Sequence, residues 1–496
     1  MRRRESGPAR EAPAPELVEA GFAFEMAEAP MFHRPLGLAD LAHALVLRES
    51  GIVPDDAARR LLAVLLEACD LPAEDFPYDP NFGEIYNSRE RYLADRLSDG
   101  AGWLHAGRPR REAVRVALRI ILRQKVTGLV ADTADFVTAV CGQASRHAET
   151  LLPDQTYLQH AQPSTFGHYV LHFAYPALRA GERLVDALTW INRSPGGAGC
   201  VNGSRLALDR YRLAALLGFD EVIEHTRDAM WQTDGLMDIV GAATSLVEDL
   251  SKLAEDLEIW DSQEFDFVAM AGPYTRSSVL MPQKRNPYSL SVVRGSAGLL
   301  IGRLTGLLAV GKTPSARSDA LIFAYGEAPR AIDVAARATR LMSGVVATLT
   351  VNADRMREAV LGGFTQATDL AEYVMQERGL DYRSAYHIVG DTVRAASREG
   401  LRGLDITAAM LDEAARARIG RDLGLRDEDL RDVLDPDAIV RSRTVVGGAA
   451  PENVRAMAAG CEDQARGLRE RATAAAAAFE KAEAALIDAA REVSLG

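Results

Sequence analysis

Apolar side chains recur at spacings of three and four residues along most of the chain, which predicts a mostly helical protein. From Gly37 onward Leu38, Leu41 and Leu45 follow this spacing, with charged residues between the apolar stretches. The same spacing predicts long helices over residues 112–152, 167–191, 246–267 and 290–310. Few segments alternate as strands do, so we expect an all-α fold in which long helices bury one another in a bundle.

Changes in composition divide the 496 residues into a leader and three helical domains. Residues 1–20 are rich in proline, alanine, glutamate and arginine without periodicity, and we expect a mobile leader there. We assign 21–111 to an N-terminal helical domain, 112–362 to a central helix-bundle domain and 363–496 to a C-terminal helical domain of shorter helices. Long apolar helix faces exceed what one chain covers, which favours symmetric self-association.

Residues 277–287 interrupt the helical pattern with Ser-Ser-Val-Leu-Met-Pro-Gln-Lys-Arg-Asn-Pro. The two prolines, the hydroxyls at one end and the cations and amides at the other make poor helix sequence and good anion-binding loop sequence. Ser278 and Lys284 can place a proton acceptor near a clamped carboxylate, as needed to remove a proton from the carbon beside that carboxylate. The composition alone also fits an exposed polar loop without chemistry.

Three other segments carry glycine, proline or clustered polar groups. Residues 103–111 place three arginines on a turn with glycine and proline, which suits carboxylate binding but also fits a solvated basic turn. Residues 156–163, Thr-Tyr-Leu-Gln-His-Ala-Gln-Pro, hold hydroxyls, amides and His160, each of which suits an ordinary turn. The glycine-rich stretch 195–203 lacks a preceding predicted strand and the spacing of a dinucleotide site, so we expect no nucleotide there.

The bulk composition narrows the class of protein. A net charge of −13, from 57 Lys+Arg and 70 Asp+Glu, argues against nucleic acid as a main partner. The cysteines lie far apart without metal-ligand spacing, so we expect no metal site, no disulfide framework and a reducing cytoplasm: Cys69, Cys141, Cys200 and Cys461. We expect no signal peptide, no membrane contact and no cofactor.

The loop resembles the signature of the fumarase/aspartase superfamily, Gly-Ser-Ser-x-Met-Pro-x-Lys-x-Asn-Pro, whose first serine abstracts the Cβ proton. Counting back from Met281 places that serine at Ser278, with Ser277 at the glycine position and Val279 at the second serine. Residues 103–111 and 156–163 resemble His-Thr-Gly-Arg-Ser-Arg-Asn-Asp and Thr-His-Leu-Gln-x-Ala-Gln-Pro of argininosuccinate lyases. The likeness extends over residues from about 83 to 460 and implies a lyase.

The resemblance implies a three-domain, all-α homotetramer with a long central helix bundle, in which each active site takes its three motifs from three subunits. Ser278 would be the base, and Lys284 and Asn286 would bind the carboxylates of a small dicarboxylate substrate and stabilise the aci-carboxylate intermediate. Thr156 and Arg110 would hold the succinyl part. The remaining positions expected in the substrate site are Arg111, Tyr157, Met281, Gln283, Tyr325 and Arg330.

The departures from the family pattern lie on the leaving-group side. Arg111 replaces an asparagine, Tyr157 the histidine, Ser291 the glutamate that pairs with it and Arg330 a glutamine that with Tyr325 touches the distal end of the substrate. A leaving group that departs as an anion needs no proton donor. We therefore predict a carbon–nitrogen lyase that releases fumarate from an N-substituted aspartate or succinate-type substrate and expels nitrite or an amine. The alternatives are a genuine argininosuccinate lyase and a non-catalytic structural relative.

Overall fold

The structure, a computed structural model, describes residues 12–314, 317 and 322–496. The amino-terminal part has helical turns at Pro15–Leu17, Val18–Phe22 and Ala23–Met26, followed by α1 (Ala29–Glu49), α2 (Asp55–Asp70) and α3 (Ile85–Leu97). The central helices are α4 (Arg110–Arg146), α5 (Phe166–Leu171), α6 (Ala174–Ile191), α7 (Arg210–Leu216), α8 (Thr226–Trp231), α9 (Asp234–Trp260), α10 (Tyr288–Gly311) and α11 (Ala324–Thr348). The carboxy-terminal helices are α12 (Ala353–Leu361), α13 (Ala367–Arg378), α14 (Tyr382–Arg398), α15 (Ala408–Ile419), α16 (Asp427–Leu434), α17 (Pro436–Ser442) and α18 (Pro451–Leu495).

The mostly helical fold confirms the sequence-based expectation, with one difference at the segment predicted as a simple turn. There β1 (Leu151–Thr156) and β2 (Gln159–Thr165) form an antiparallel hairpin. Its first strand begins soon after α4 ends at Arg146, so the helix predicted over 112–152 is shorter than expected. The other strands are two-residue pairs: β3 (Arg193–Ser194) with β4 (Glu221–Val222), β5 (Val268–Ala269) with β8 (Thr350–Val351), and β6 (Arg276–Ser277) with β7 (Arg285–Asn286).

Six long helices form the central core. Helix α4 packs along α11, α6 and the carboxy-terminal helix α18, while α9 packs along α10, α6 and α11. Their facing side chains are fully buried, among them Leu122, Val126 and Leu129 of α4 and Leu246 and Leu250 of α9. Burial of each such side chain contributes about 1.5–3 kcal/mol, which makes packing rather than helix propensity the main source of helix stability here.

Two smaller cores flank the central one. The first joins α1, α2 and α7 to the end of α18, and the second lies among α13, α14, α15 and α16. Helix α18 thus packs on α4 and α2, away from the second small core. The proposed boundaries at 20, 111 and 362 stay predictions; residues 1–11 of the expected leader lie outside the described residues, and helical turns begin at Pro15.

Arginines placed every four residues on α4 bind the ends of three other helices. Arg115, Arg119 and Arg123 are largely buried and donate to backbone carbonyls at the carboxy-terminal ends of α8, α6 and α7. The acceptors are the carbonyl oxygens of Met230 and Gln232, of Trp190 and Ile191, and of Leu217 and Gly218. A guanidinium satisfies the unpaired carbonyls of a helix end and offsets its partial negative charge. These three arginines therefore fix α8, α6 and α7 around the first half of α4.

Helix α10 exposes much of its apolar surface in the single chain. Leu299, Ile301 and Leu308 are each about half exposed. The most apolar 18-residue stretch of α10 has a mean hydropathy of 1.3, and 22% of it is buried. By length and composition alone, α10 could cross a membrane. A soluble helix covered by other copies of the chain has the same character, and the expected lack of membrane contact stays a prediction.

Candidate active site

The loop with the superfamily signature stands on the short β6–β7 ladder, in which Arg276 faces Asn286. The Asn286 amide donates to the Arg276 carbonyl at 3.0 Å, and the Arg285 guanidinium donates to the Met270 carbonyl at 3.2 Å. The base of the loop is therefore tied to the end of the bundle. Proline, hydroxyl and amide residues favour this turn over continuation of a helix, and α10 begins directly after Pro287.

The tip of the loop carries the predicted base. Ser278 Oγ accepts hydrogen bonds from the backbone N–H groups of Leu280, at 3.3 Å, and Met281, at 3.0 Å. The Lys284 N–H closes the turn on the Met281 carbonyl at 3.0 Å, and the side chains of Lys284 and Gln283 are exposed. Two N–H donors on one hydroxyl oxygen stabilise negative charge on that oxygen, which is what a serine base requires.

The second predicted motif lies at the tip of the β1–β2 hairpin. Thr156 pairs with Gln159, and the two residues between them form a tight turn with positive φ, 55° at Tyr157 and 57° at Leu158. Such turns favour asparagine and glycine, so a tyrosine and a leucine here are strained. The Tyr157 side chain is 99% exposed. The hairpin therefore holds Thr156 and Tyr157 outward, away from the rest of its own chain.

The arginines of the third motif have different partners. Arg108 is buried and donates to Asp40 Oδ1 at 2.6 Å, while Arg89 donates to the other oxygen of Asp40 at 3.0 Å. Burial opposes the charge, but Arg108 and Arg89 outweigh it and hold the pKa of Asp40 below its ordinary value. Arg108 thus has a structural role. Arg110 and Arg111 follow as the first two residues of α4, and part of each side chain is open to solvent.

Carboxylates surround Arg111. One guanidinium nitrogen lies 3.0 Å from Glu25 Oε2 and 3.2 Å from Glu84 Oε2, and Arg110 lies 3.7 Å from the other oxygen of Glu84. Burial raises the pKa of Glu25, and the Arg111 charge only partly offsets this. The positive charge that Arg111 adds on the leaving-group side is therefore neutralised by carboxylates of the same chain.

The distal-end positions Tyr325 and Arg330 lie on α11. Tyr325 is buried, burial raises the pKa of its hydroxyl, and that hydroxyl has no hydrogen-bond partner among the described residues. Its closest charged neighbours include Arg111 and Arg115. Arg330 pairs with Glu28 and with Glu327, the latter at 2.7 Å. Both substituted arginines, at 111 and 330, thus carry carboxylate partners.

The carboxylates were missed by reasoning from the sequence. Glu25 and Glu28 follow directly on the stretch predicted as a leader, and they bind arginines 86 and 302 positions away. Glu84 precedes α3 and Glu327 lies in the first turn of α11. No local pattern marks pairs at such separations. The amino-terminal segment thus contributes directly to the candidate site.

The three motifs do not meet within one chain. Among the residues that the structure describes, no hydrogen bond or ion pair joins the loop, the hairpin tip and the arginine turn. The described residues also contain no group of three His, Cys, Asp or Glu side chains that could hold a metal ion.

Comparisons with known proteins show which family the chain is similar to. Residues 47–302 match the family model described as lyase, and residues 364–441 match the argininosuccinate lyase C-terminal model. An argininosuccinate lyase from Methanosarcina barkeri is 33% identical over 84% of each chain, and one from Methanothermobacter thermautotrophicus is 31% identical over 84% of this chain and 89% of that one. An EDDS lyase variant with bound fumarate has a TM-score of 0.87 and 27% identity, with 98% of this chain and 97% of that chain covered.

The helical bundle, the signature loop and the two accompanying motifs define an enzyme of the lyase class. The chain belongs to the fumarase/aspartase superfamily and shares the carboxy-terminal unit of argininosuccinate lyases. It is a carbon–nitrogen lyase, which confirms the class of enzyme that the family resemblance implied.

Proposed function

We propose that this enzyme removes an amine from an N-(1,2-dicarboxyethyl) compound by β-elimination and releases fumarate. The oxygen of Ser278 takes the Cβ proton, and Lys284 and Asn286 bind the carboxylate beside that carbon, where charge accumulates in the aci-carboxylate intermediate. The C–N bond then breaks, its electron pair leaves with the nitrogen, and the amine takes a proton. Thr156 and Arg110 hold the succinyl part, with Met281 and Gln283 alongside.

One observation carries this proposal. Ser278 Oγ accepts two backbone N–H groups in a loop whose Lys284 side chain is free in solvent, six residues away. An oxygen stabilised in this way beside a mobile cation can serve as a base toward a carbon acid whose carboxylate the cation binds.

The surroundings of the arginines favour an amine over nitrite as the leaving group. Nitrite would need an uncompensated cation, whereas Arg111 is flanked by Glu25 and Glu84, and Arg330 is paired with Glu28. These arginines and glutamates together carry at least as much negative as positive charge, which suits a leaving group that carries a positive charge. The EDDS lyase similarity fits an elimination that forms fumarate.

We further propose that the enzyme is a homotetramer in which three subunits complete each site. The hairpin tip and the loop tip point away from their own chain, and the side chains of Tyr157 and Val279 are fully exposed. The apolar surface of α10, including Leu299 and Ile301, is left uncovered by the single chain. Association along α10 covers that surface and brings the outward motifs onto neighbouring subunits. The oligomeric mass in solution tests this directly.

Argininosuccinate is the second candidate substrate. The curated relatives are argininosuccinate lyases at 31–33% identity, and the carboxylates near Arg111 could also bind a guanidinium leaving group. The substitutions at Arg111, Tyr157 and Arg330 argue against argininosuccinate as the substrate. A single assay with argininosuccinate decides between this candidate and another amine adduct.

The test runs the reaction in reverse. The enzyme is given fumarate with a panel of ammonia, diamines, arginine and other amino acids, and nitrite, and the loss of fumarate absorbance is followed. We expect turnover with at least one amine and none with nitrite, and the forward reaction of the purified adduct should return fumarate. Turnover with nitrite alone would overturn the amine assignment, and no turnover with any partner or with argininosuccinate would overturn the proposed function.

A further inference from the structure

A buried carboxylate anchors the glycine-rich turn beside the candidate site. Glu112 is 0% exposed, and its two oxygens accept the N–H groups of Gly197, at 2.6 Å, and Gly199, at 2.7 Å. Successive backbone N–H groups that converge in this way form a cradle for an anion. Here the anion is a side chain of the protein, contributed by the first turn of α4.

The turn has room for glycine only. Gly197 and Gly199 have φ of +72° and +65°, a conformation that other residues rarely adopt. A Cβ on Gly197 would lie 2.7 Å from Arg210 Cγ, and a Cβ on Gly199 would lie 2.7 Å from the Gly203 carbonyl oxygen. Glycine at these two positions thus allows the turn, and the Glu112 oxygens supply the acceptors that keep its N–H groups paired.

A cation holds the same segment from its other side. Arg210 donates to the Gly196 carbonyl at 3.0 Å and to the carbonyls of Ile223, at 2.7 Å, and Glu224, at 3.2 Å. The charges that face Glu112 are this guanidinium, from α7, and that of Arg108, from the turn before α4. Two N–H groups of the segment thus pair with the anion, while its Gly196 carbonyl pairs with the cation.

The chain that follows this segment touches the arginine turn. A Cβ on Gly107 would lie 2.8 Å from Leu208 Cδ1 and 3.1 Å from Ser204 Oγ, so the chain after the glycine turn packs directly against residue 107. Glu112 follows Arg111 immediately in the same helical turn. The chain that continues from the glycine turn therefore lies against the arginine turn, next to Glu112.

We propose that Glu112 is a positioning residue, which acts through segment 195–203 and links substrate binding at the arginine turn to the charge of a buried acid. Its effect on substrate rests on the proposed function. Its effect on the order of the segment does not, because the hydrogen bonds exist without substrate.

The charge of Glu112 changes in the neutral range. Burial raises its pKa to about 7, although the two N–H donors and the cations of Arg108 and Arg210 favour the carboxylate. When the acid is neutral, one oxygen carries a proton that needs an acceptor of its own, and that oxygen is a weaker acceptor for an N–H group. When the turn opens while Glu112 stays buried on α4, the carboxyl loses only its N–H donors, so the turn is held best above pH 7 and less well below it.

Hydrogen–deuterium exchange of the ligand-free enzyme tests the link to the segment. After correction for the intrinsic rate, protection of the peptide 195–203 should rise about fivefold between pH 6 and pH 8, the size expected for one hydrogen bond. Glu112→Gln should lose this rise, and Glu112→Asp should keep part of it. The control Glu221→Gln removes an exposed partner of Arg193 and should behave as the wild type. Protection in the wild type that does not change with pH would overturn the proposal.

Kinetics test the link to substrate. With the substrate identified as above, Glu112→Gln should raise KM about tenfold, change kcat less, and abolish the inflection near pH 7 in kcat/KM. A purely structural role would lower the melting temperature without removing that inflection. An enzyme with no turnover would refute the proposed function and leave the exchange result to decide the role of Glu112; an unchanged pH profile of kcat/KM in an active Glu112→Gln variant would contradict the link to substrate.

Discussion

Replacement of Glu25 by glutamine tests whether the leaving group is cationic. The exchange keeps the size of the side chain and removes one negative charge 3.0 Å from the Arg111 guanidinium. The side chains are only 22% and 11% exposed, so solvent screens the pair weakly. Loss of one partner from a buried pair costs about 3–5 kcal/mol. Because Glu84 remains at 3.2 Å, we expect less than half of that cost, about 1.4 kcal/mol.

A cationic amine held by the same carboxylate would lose an attraction of about the same size, which corresponds to about a tenfold change in affinity. Glu25→Gln should raise KM for the amine about tenfold in the reverse reaction with fumarate, with kcat little changed, because the local charge becomes more positive. For nitrite the sign is reversed, since Arg111 would be freed to attract an anion. Initial rates for both partners, with melting curves, measure this. The exposed Glu16, on the same amino-terminal segment, supplies the control Glu16→Gln. A KM for the amine that stays the same or falls in Glu25→Gln would refute the cationic assignment.

Three further changes probe other parts of the structure. Asp40→Asn should destabilise the fold by about 3–5 kcal/mol in urea unfolding at pH 7, because Arg108 and Arg89 lose their buried counter-ion. The pKa of Asp40 is lowered on folding, so its contribution is present above about pH 4 and lost at lower pH, and the difference between variant and wild type should shrink there. Leu158→Gly should raise stability by up to about 1 kcal/mol, because glycine adopts its φ of 57° without strain; thermal unfolding would contradict this if the melting temperature fell. Lys284→Met should raise KM for fumarate about a hundredfold through loss of a carboxylate contact, and an unchanged KM would remove the lysine from the site.

The long helices could be predicted from the sequence because their burial follows the helical period. Helix α9 lies within the central core with its leucines on one side, as the spacing of Leu246, Leu250 and Leu253 indicates. The signature loop could be predicted because its two prolines, together with hydroxyl and amide side chains, interrupt the helical pattern. The residues of the loop are identified by type and order, which are local properties of the chain.

The hairpin and the carboxylate cluster could not be predicted in the same way. The strand Leu151–Thr156 contains a proline and does not alternate, and the turn at Tyr157 and Leu158 lacks the asparagine or glycine that marks such turns. The partners of Arg111 come from distant parts of the chain, and composition alone gave no reason to place Glu25 in a site. Tertiary packing decides these features.

The most direct measurement is the rate of fumarate formation by Ser278→Ala with the substrate that the wild type accepts. If Ser278 is the base, the rate should fall by about a thousandfold, while the melting temperature and the oligomeric mass stay those of the wild type. The hydroxyl lies in an exposed loop, so its removal should not disturb the core. A correctly assembled Ser278→Ala enzyme whose rate stays within tenfold of the wild type would contradict the assignment of this serine as the base.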